Sequence, residues 1–160
     1  MIKVGDKLPQ ATFTVMGGSG PEPKTTDHVF AGRKVALFAV PGAFTPTCHA
    51  NHLPGFLANG DALKAKGVDA IVCVSVNDVF VMDAWAKATA SKDEIEFLAD
   101  GSADFARAIG LELDGTVRGM GIRSQRYAML VDDGVVKLLN VEDVPGKAEI
   151  SGAEALLAAM

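Results

Sequence analysis

The sequence predicts an α/β fold in which a mixed central β-sheet is flanked by helices, and three observations carry that expectation. Lys34 to Val40 is almost continuously apolar, as a strand covered on both faces must be. Val68 to Val76 repeats the pattern after a helix-length segment. Near the C-terminus, Tyr127 to Val131 and Val135 to Val141 flank Asp132-Asp133-Gly134, a strong hairpin signal. Strands separated by helices and closed by a hairpin and a helix describe a layered α/β domain.

The chain begins with a segment, residues 3 to 10, that reads as extended, followed by a strand over Ala11 to Met16. Gly17-Gly18-Ser19-Gly20-Pro21 supplies turn residues for a hairpin. Thr26 or Asp27 can cap a single helical turn through Phe30, which Gly32 ends. After the strand Lys34 to Val40, helix is expected from Thr45 to Lys66, kinked or interrupted at His52-Leu53-Pro54-Gly55. In the strand Val68 to Val76, the alternation puts Val68, Ala70, Val72, Val74 and Val76 on one face and Ile71 and Cys73 on the other. Asn77 or Asp78 can cap a helix over Val79 to Thr89. Ile95 to Ala99 is a strand, Asp104 to Ile109 a short helix, and Thr116 to Ile122 extended. Residues 145 to 152 form a loop before a helix at Ala153 to Ala159.

A chain of 160 residues with neither internal repeat nor low-complexity tract is expected to be a single domain over residues 1–160. Its 49% hydrophobic content and mean hydropathy of +0.23 are those of a chain that buries a core. The formal net charge of -5, with no run of Lys or Arg, argues against nucleic acid or an anionic membrane as partner. Two cysteines outside any Cys-x-x-Cys pair suit a reducing compartment, and the polar start Met1-Ile2-Lys3-Val4-Gly5-Asp6 is no signal-peptide core, so a cytoplasmic location is expected.

The stretch Val40-Pro41-Gly42-Ala43-Phe44-Thr45-Pro46-Thr47-Cys48 reads as the end of a buried strand, a tight turn and the first turn of a helix carrying a cysteine. A thiol there faces unsatisfied backbone N–H groups and the positive end of the helix dipole, which favour the thiolate, the reactive form. Gly42 lets the chain turn without a Cβ penalty, and Pro46 suits the start of a helix. Thr45 can cap that helix or turn its hydroxyl toward whatever the sulfur attacks.

Pro41-x-x-x-Thr45-x-x-Cys48 resembles the active-site signature of the peroxiredoxins, and the longer Pro-Gly-Ala-Phe-Thr-Pro-Thr-Cys with His52-Leu53-Pro54-Gly55-Phe56 resembles their type II (peroxiredoxin-5) subfamily. Further matches are Ser75-Val76-Asn77-Asp78 with Phe80-Val81, Arg126-Tyr127-Ala128-Met129, and Leu139-Asn140-Val141-Glu142. The resemblance implies a thioredoxin-like fold and a thiol-dependent peroxidase acting on hydrogen peroxide and small alkyl hydroperoxides. It makes Cys48 the nucleophile that becomes a sulfenic acid, with Thr45 as hydroxyl donor and Pro41 as shield. It also selects Arg126 as the catalytic arginine; chemistry alone leaves Arg118, Arg123 and Arg126 open. A homodimer is implied by the resemblance only.

Cys73 reads as a buried structural thiol or, alternatively, as a partner that resolves the sulfenic acid. Some relatives carry a third cysteine where this chain has Ile150-Ser151-Gly152, and serine cannot resolve a sulfenic acid. The resemblance then implies an external thiol as reductant, glutathione with glutaredoxin ahead of thioredoxin. His49 and His52 lack the partner spacing of a zinc site, and Gly119-Met120-Gly121 lacks the context of a dinucleotide loop, so no metal and no cofactor are expected. His52 is expected to pack or hydrogen-bond near the active-site helix and His49 to be exposed. A thiol-disulfide oxidoreductase would need a second nearby cysteine, and position 51 is Asn. A redox-sensing or holdase-like binding protein that uses Cys48 as a switch is the competing reading.

Overall fold

The computed structural model describes residues 1–160, and the order of its elements follows the alternation of apolar runs. A hairpin opens the fold, β1 (Thr12–Gly17) with β2 (Gly20–Thr25), followed by the single-turn helix α1 (Thr26–Phe30) and strand β3 (Lys34–Val40). A π-helical turn at Cys48–His52 leads into α2 (Leu53–Ala58) and α3 (Gly60–Ala65). Then come β4 (Ala70–Ser75), α4 (Val79–Ala88), β5 (Glu96–Ala99) and α5 (Asp104–Ala108). A small hairpin, β6 (Glu112–Asp114) and β7 (Ile122–Ser124), holds a 3₁₀ turn at Thr116–Arg118. The chain closes with β8 (Tyr127–Asp132), β9 (Val135–Val141) and α6 (Ala153–Ala159).

Seven strands form the central sheet in the order β2-β1-β5-β4-β3-β8-β9. The strands β3, β4 and β5 run parallel, and the two hairpins add antiparallel strands at the sides, so the sheet is mixed. The period-2 alternation of each strand sorts its side chains into two cores. Ala36, Phe38 and Val40 of β3 and Ile71 and Cys73 of β4 face a core shared with Leu53, Phe56 and Leu63 of the helices after the π turn, Met82 and Trp85 of α4, and Leu156 of α6. Val35, Leu37 and Ala39 face the opposite core, with Val72, Val74, Phe13, Val29, Phe105 and Met129.

Several local expectations change in detail. Strand β4 begins at Ala70, so Val68, lying before it, joins the core of Ile71 and Cys73, and Val76, lying after it, packs with Ala103 and Ala106. The α1 cap is Thr25: its Oγ1 accepts from His28 N at 3.3 Å, while His28 Nδ1 accepts from Thr25 N at 3.4 Å. Thr26 instead donates to Pro9 O at 2.9 Å, tying the helix to the N-terminal segment. Asp78, not Asn77, caps α4, accepting from Val81 N at 2.9 Å. Thr116 to Ile122, expected as extended, is broken by the 3₁₀ turn because Asp114 Oδ1 captures Thr116 N at 2.9 Å and turns the chain back.

The sheet edges are also distinctive. The outer strand β2 carries Pro21 and Pro23, which have no N–H to offer a further strand. The N-terminal segment, expected as extended, turns at Val4-Gly5, where Asp6 N donates to Lys3 O at 3.0 Å and Gly5 takes φ 95°, and it forms no full strand. It pairs briefly with the start of β9, where Gly5 N donates to Val136 O and Leu8 N to Gly134 O, each at 2.8 Å.

Phe38 is the centre of the helix-side core: its ring stacks on Phe56 at 4.3 Å and meets His52 at 5.0 Å between centroids. Phe38→Ala removes a fully buried ring from a packed site, and the unfolding free energy should fall by about 3–5 kcal/mol. The check is urea denaturation, with the midpoint lowered and the slope unchanged.

Candidate active site

The turn after β3 is shaped by contacts from the end of β4. Asn77 Oδ1 accepts from Ala43 N at 3.0 Å and from Ser75 Oγ at 2.7 Å, and the same Ser75 hydroxyl lies 3.1 Å from Val40 O. This gives the Ser-Val-Asn-Asp run its physical role, since the turn has few backbone partners of its own. The left-handed residue is Phe44, at φ 64°, rather than Gly42. Gly42 is needed for space: a Cβ there would lie 3.0 Å from the Thr45 methyl and 3.1 Å from Arg123 Nη1.

Past the turn, the chain starts a helix at Pro46 and widens at Cys48, where Leu53 N reaches Cys48 O, five residues back. Pro54, with no N–H, follows at once, and the widened turn absorbs the break that the sequence expects at this point. Cys48 is fully buried, and two donors converge on its sulfur: Thr45 Oγ1 at 2.9 Å and Arg126 Nη2 at 2.9 Å. Thr45 Oγ1 also lies 2.6 Å from Gly42 O and makes no N-cap bond. Its single proton can therefore point to Gly42 or swing toward the sulfur and whatever the sulfur meets.

Arg126 sits at the start of β8, 2% exposed. A buried guanidinium stays charged and must have every face satisfied. Its Nε donates to Pro145 O at 2.9 Å and its Nη1 to His52 Nδ1 at 3.0 Å, leaving Nη2 for Cys48. His52 Nδ1 must be the acceptor, so the ring proton is on Nε2, which donates to Ser151 O at 2.8 Å. Burial, together with the neighbouring Arg126 charge, pushes the imidazole down to about 3, and it is neutral at physiological pH although the Ser151 carbonyl pulls the other way.

Both carbonyls that hold this pair belong to the loop 143–152, and Glu142 organises that loop. The carboxylate of Glu142, 8% exposed, accepts from Glu149 N at 3.1 Å and Ser151 N at 2.8 Å through one oxygen, while its own N–H donates to Arg126 O at 2.9 Å. Thr47 Oγ1 closes the ring by donating to Gly146 O at 2.8 Å. Asn77 and Glu142 are thus parts of the site that motif reading missed, while His52, expected to pack or hydrogen-bond near the active-site helix, takes its place there by holding Arg126. The signal available for the first two was their place inside the Ser-Val-Asn-Asp and Leu-Asn-Val-Glu matches.

The sulfur lies behind a cleft of about 440 Å³ whose walls include Pro41, Thr45, Arg126 and Pro145. Pro41 is buried, and its carbonyl accepts from Arg123 Nη1 at 3.4 Å. The two histidines diverge as expected: His52 is buried against Arg126, and the exposed His49 accepts from Trp85 Nε1 at 3.0 Å while stacking on Phe44. Cys73 is fully buried between β3 and β5, and burial pushes its thiol well above the ordinary range.

The His52 environment makes stability depend on acid. The unfolded chain binds a proton near pH 6.5 that the folded chain refuses until about 3, so stability present above 6.5 is lost as the pH falls through that window. The loss at the acid end should be on the order of a few kcal/mol. Urea titrations at several pH values check this, and His52→Gln, which does not titrate, should flatten the profile between pH 6.5 and 4 relative to wild type.

The redoxin family profile matches residues 3–157. The chain is 48% identical over 160 residues to peroxiredoxin-2C of Oryza sativa subsp. japonica, covering 99% of this chain and 98% of the relative. It is 48% identical to the chloroplastic peroxiredoxin-2E of Arabidopsis thaliana, covering 99% of this chain and 69% of that protein. Among solved structures, reduced Prx3 of Vibrio vulnificus in complex with hydrogen peroxide superposes with a TM-score of 0.94 at 54% identity, over 99% of each chain. Peroxiredoxin 5 of Alvinella pompejana superposes at 0.87 with 38% identity, over 99% and 97%. The thioredoxin-like architecture, the sulfur held by two donors and these similarities agree, and the chain belongs to the redoxin family as a type II peroxiredoxin, a thiol-dependent peroxidase.

Proposed function

We propose that Cys48 is the peroxidatic nucleophile for hydrogen peroxide and small alkyl hydroperoxides, in a role of antioxidant defence and redox homeostasis. The observation that carries the reading is the convergence of Thr45 and Arg126 on a single buried sulfur, each at 2.9 Å. The thiolate attacks one peroxide oxygen: an S–O bond forms, the O–O bond breaks, and hydroxide or alkoxide leaves and takes up a proton. Sulfur loses the two electrons that the peroxide gains. Charge develops on the departing oxygen, and a fixed guanidinium donor and a hydroxyl able to rotate between Gly42 and the site are placed to meet it. Pro41, buried at the cleft wall, shields the sulfenic acid. The hydrogen peroxide complex of the Vibrio vulnificus relative supports this substrate class.

The reductant in this reading is an external thiol, glutathione with glutaredoxin ahead of thioredoxin. Support comes from Cys73, which sits in a central strand of the sheet, and from the loop at Ile150-Ser151-Gly152, which contains no cysteine. Two unpaired cysteines suit a reducing compartment such as the cytoplasm. The homodimer expected from the resemblance has a candidate surface around Phe44, which is 47% exposed beside His49; sedimentation of wild type and Phe44→Lys tests it.

Mixing reduced protein with one equivalent of hydrogen peroxide should add one oxygen to the intact mass, and Cys48→Ser should show no gain. Loss of two hydrogens would instead make Cys73 the resolving residue. If the wild type reacts no faster than a free thiol, the proposed role of Cys48 fails.

Arg126→Ala should slow sulfenic acid formation roughly 10²–10³-fold, as removal of a preorganised transition-state donor does elsewhere. Glu142→Ala frees the loop that aims Arg126 and should slow the same step about tenfold or more. Glu142→Gln keeps an acceptor oxygen for the two N–H groups and should recover most of the rate. Stopped-flow kinetics under single-turnover conditions read both.

A further inference from the structure

Three guanidiniums, those of Arg118, Arg123 and Arg126, line the cleft in front of Cys48, against one carboxylate, Asp114, which is partly engaged by Thr116 N. The whole chain is acidic, at -5, so this positive concentration is local. None of the four ion pairs of the fold includes any of these arginines. Arg126 is fully committed to the sulfur site, but the other two are not. Arg123 uses Nε on Met120 O and Nη1 on Pro41 O, which leaves Nη2 without a protein acceptor. Arg118 is exposed on the 3₁₀ turn, and its side chain has no protein acceptor.

A hydroperoxide is neutral and gains little from such a field. The species that reduces a sulfenic acid is a thiolate, and a positive cleft favours its approach. Guanidinium donors without a protein acceptor, the whole fork of Arg118 and Nη2 of Arg123, match carboxylates. We infer that Arg118 and Arg123 form a carboxylate-recognition subsite that selects anionic, carboxylate-bearing thiols as reductants of oxidised Cys48. The inference rests on the peroxidase reading above and names the substrate class of its second half-reaction. The thiolate attacks the Cys48 sulfur of the sulfenic acid; an S–S bond forms, the S–O bond breaks, and hydroxide leaves to become water. A second thiol then attacks the mixed disulfide, releasing the oxidised thiol pair and restoring the Cys48 thiol. Asp114 opposes anions on the same wall and limits the preference.

The test uses the full chain oxidised with one equivalent of hydrogen peroxide and freed of excess. Loss of the sulfenic acid is followed in rapid mixing with 3-mercaptopropionate and with its primary amide, rates being compared per thiolate. The carboxylate should react roughly tenfold faster, the order expected of charge-assisted hydrogen bonds in a partly exposed cleft. The advantage should shrink at high ionic strength and collapse toward unity in R118Q/R123Q, with the exposed single change R118Q intermediate. A wild-type ratio near one, or a ratio unmoved by the double change, overturns the inference.

A separate arm needs no turnover: 3-(methylthio)propionate, which has no thiol, is titrated onto reduced protein while the arginine side-chain NMR signals are followed. Shifts of the Arg118 and Arg123 signals, absent with the corresponding amide, support the subsite; no shifts overturn it. Failure to form any sulfenic acid strikes the peroxidase reading, and this binding arm still decides the subsite.

Discussion

A guanidinium that is 2% exposed must find acceptors on every side, and much of the site follows from how Arg126 finds its three. Pro145 O takes Nε, His52 Nδ1 takes Nη1, and the Cys48 sulfur takes Nη2. Each of these acceptors must itself be held. His52 can accept only as the neutral ring with its proton on Nε2, which requires Ser151 O, and both carbonyls require a loop whose path is set by Glu142. A charge placed beside the sulfur therefore dictates a ring tautomer, a loop conformation and a buried carboxylate some distance along the chain. Each nitrogen of the guanidinium has an acceptor, the condition under which burying its charge is tolerable.

The sheet contributes the other fixed point. Strands β3 and β4 are parallel neighbours, so the turn after one and the turn after the other emerge at the same end. Asn77 can therefore hold Ala43, and the helix carrying Cys48 starts from an anchored turn. Meanwhile β8 pairs antiparallel with β3, pairing Tyr127 with Ala39 and so delivering the adjacent Arg126 to that same end.

The local pieces were legible in the sequence because they depend on short-range chemistry. Apolar runs bounded by turn residues located the strands, and the Pro41 to Cys48 stretch announced a turn, a helix start and a reactive thiol. The Arg126 assignment came from a resemblance, since its contact with Cys48 spans 78 positions. What stayed hidden is of two kinds. Glu142, His52 and Asn77 act through contacts between distant segments, so their roles need the fold before they have meaning. The left-handed residue at Phe44 and the 3₁₀ turn at Thr116 arise from constraints of neighbouring groups, against local propensity at Phe44 and through a side-chain capture by Asp114 at Thr116. Gly42 was expected to serve the turn through its conformational freedom, whereas the structure asks it for room beside Thr45 and Arg123.

The prolines of β2 bear on how copies of this chain can meet. An open sheet invites another molecule to add a strand, and such growth has no natural stopping point. Pro21 and Pro23 withhold donors at one margin, and residues 5–8 occupy the first part of the other. Uncontrolled fibrous growth is thereby discouraged at both margins, and association is channelled toward surfaces of side chains, where contacts can be finite and symmetric.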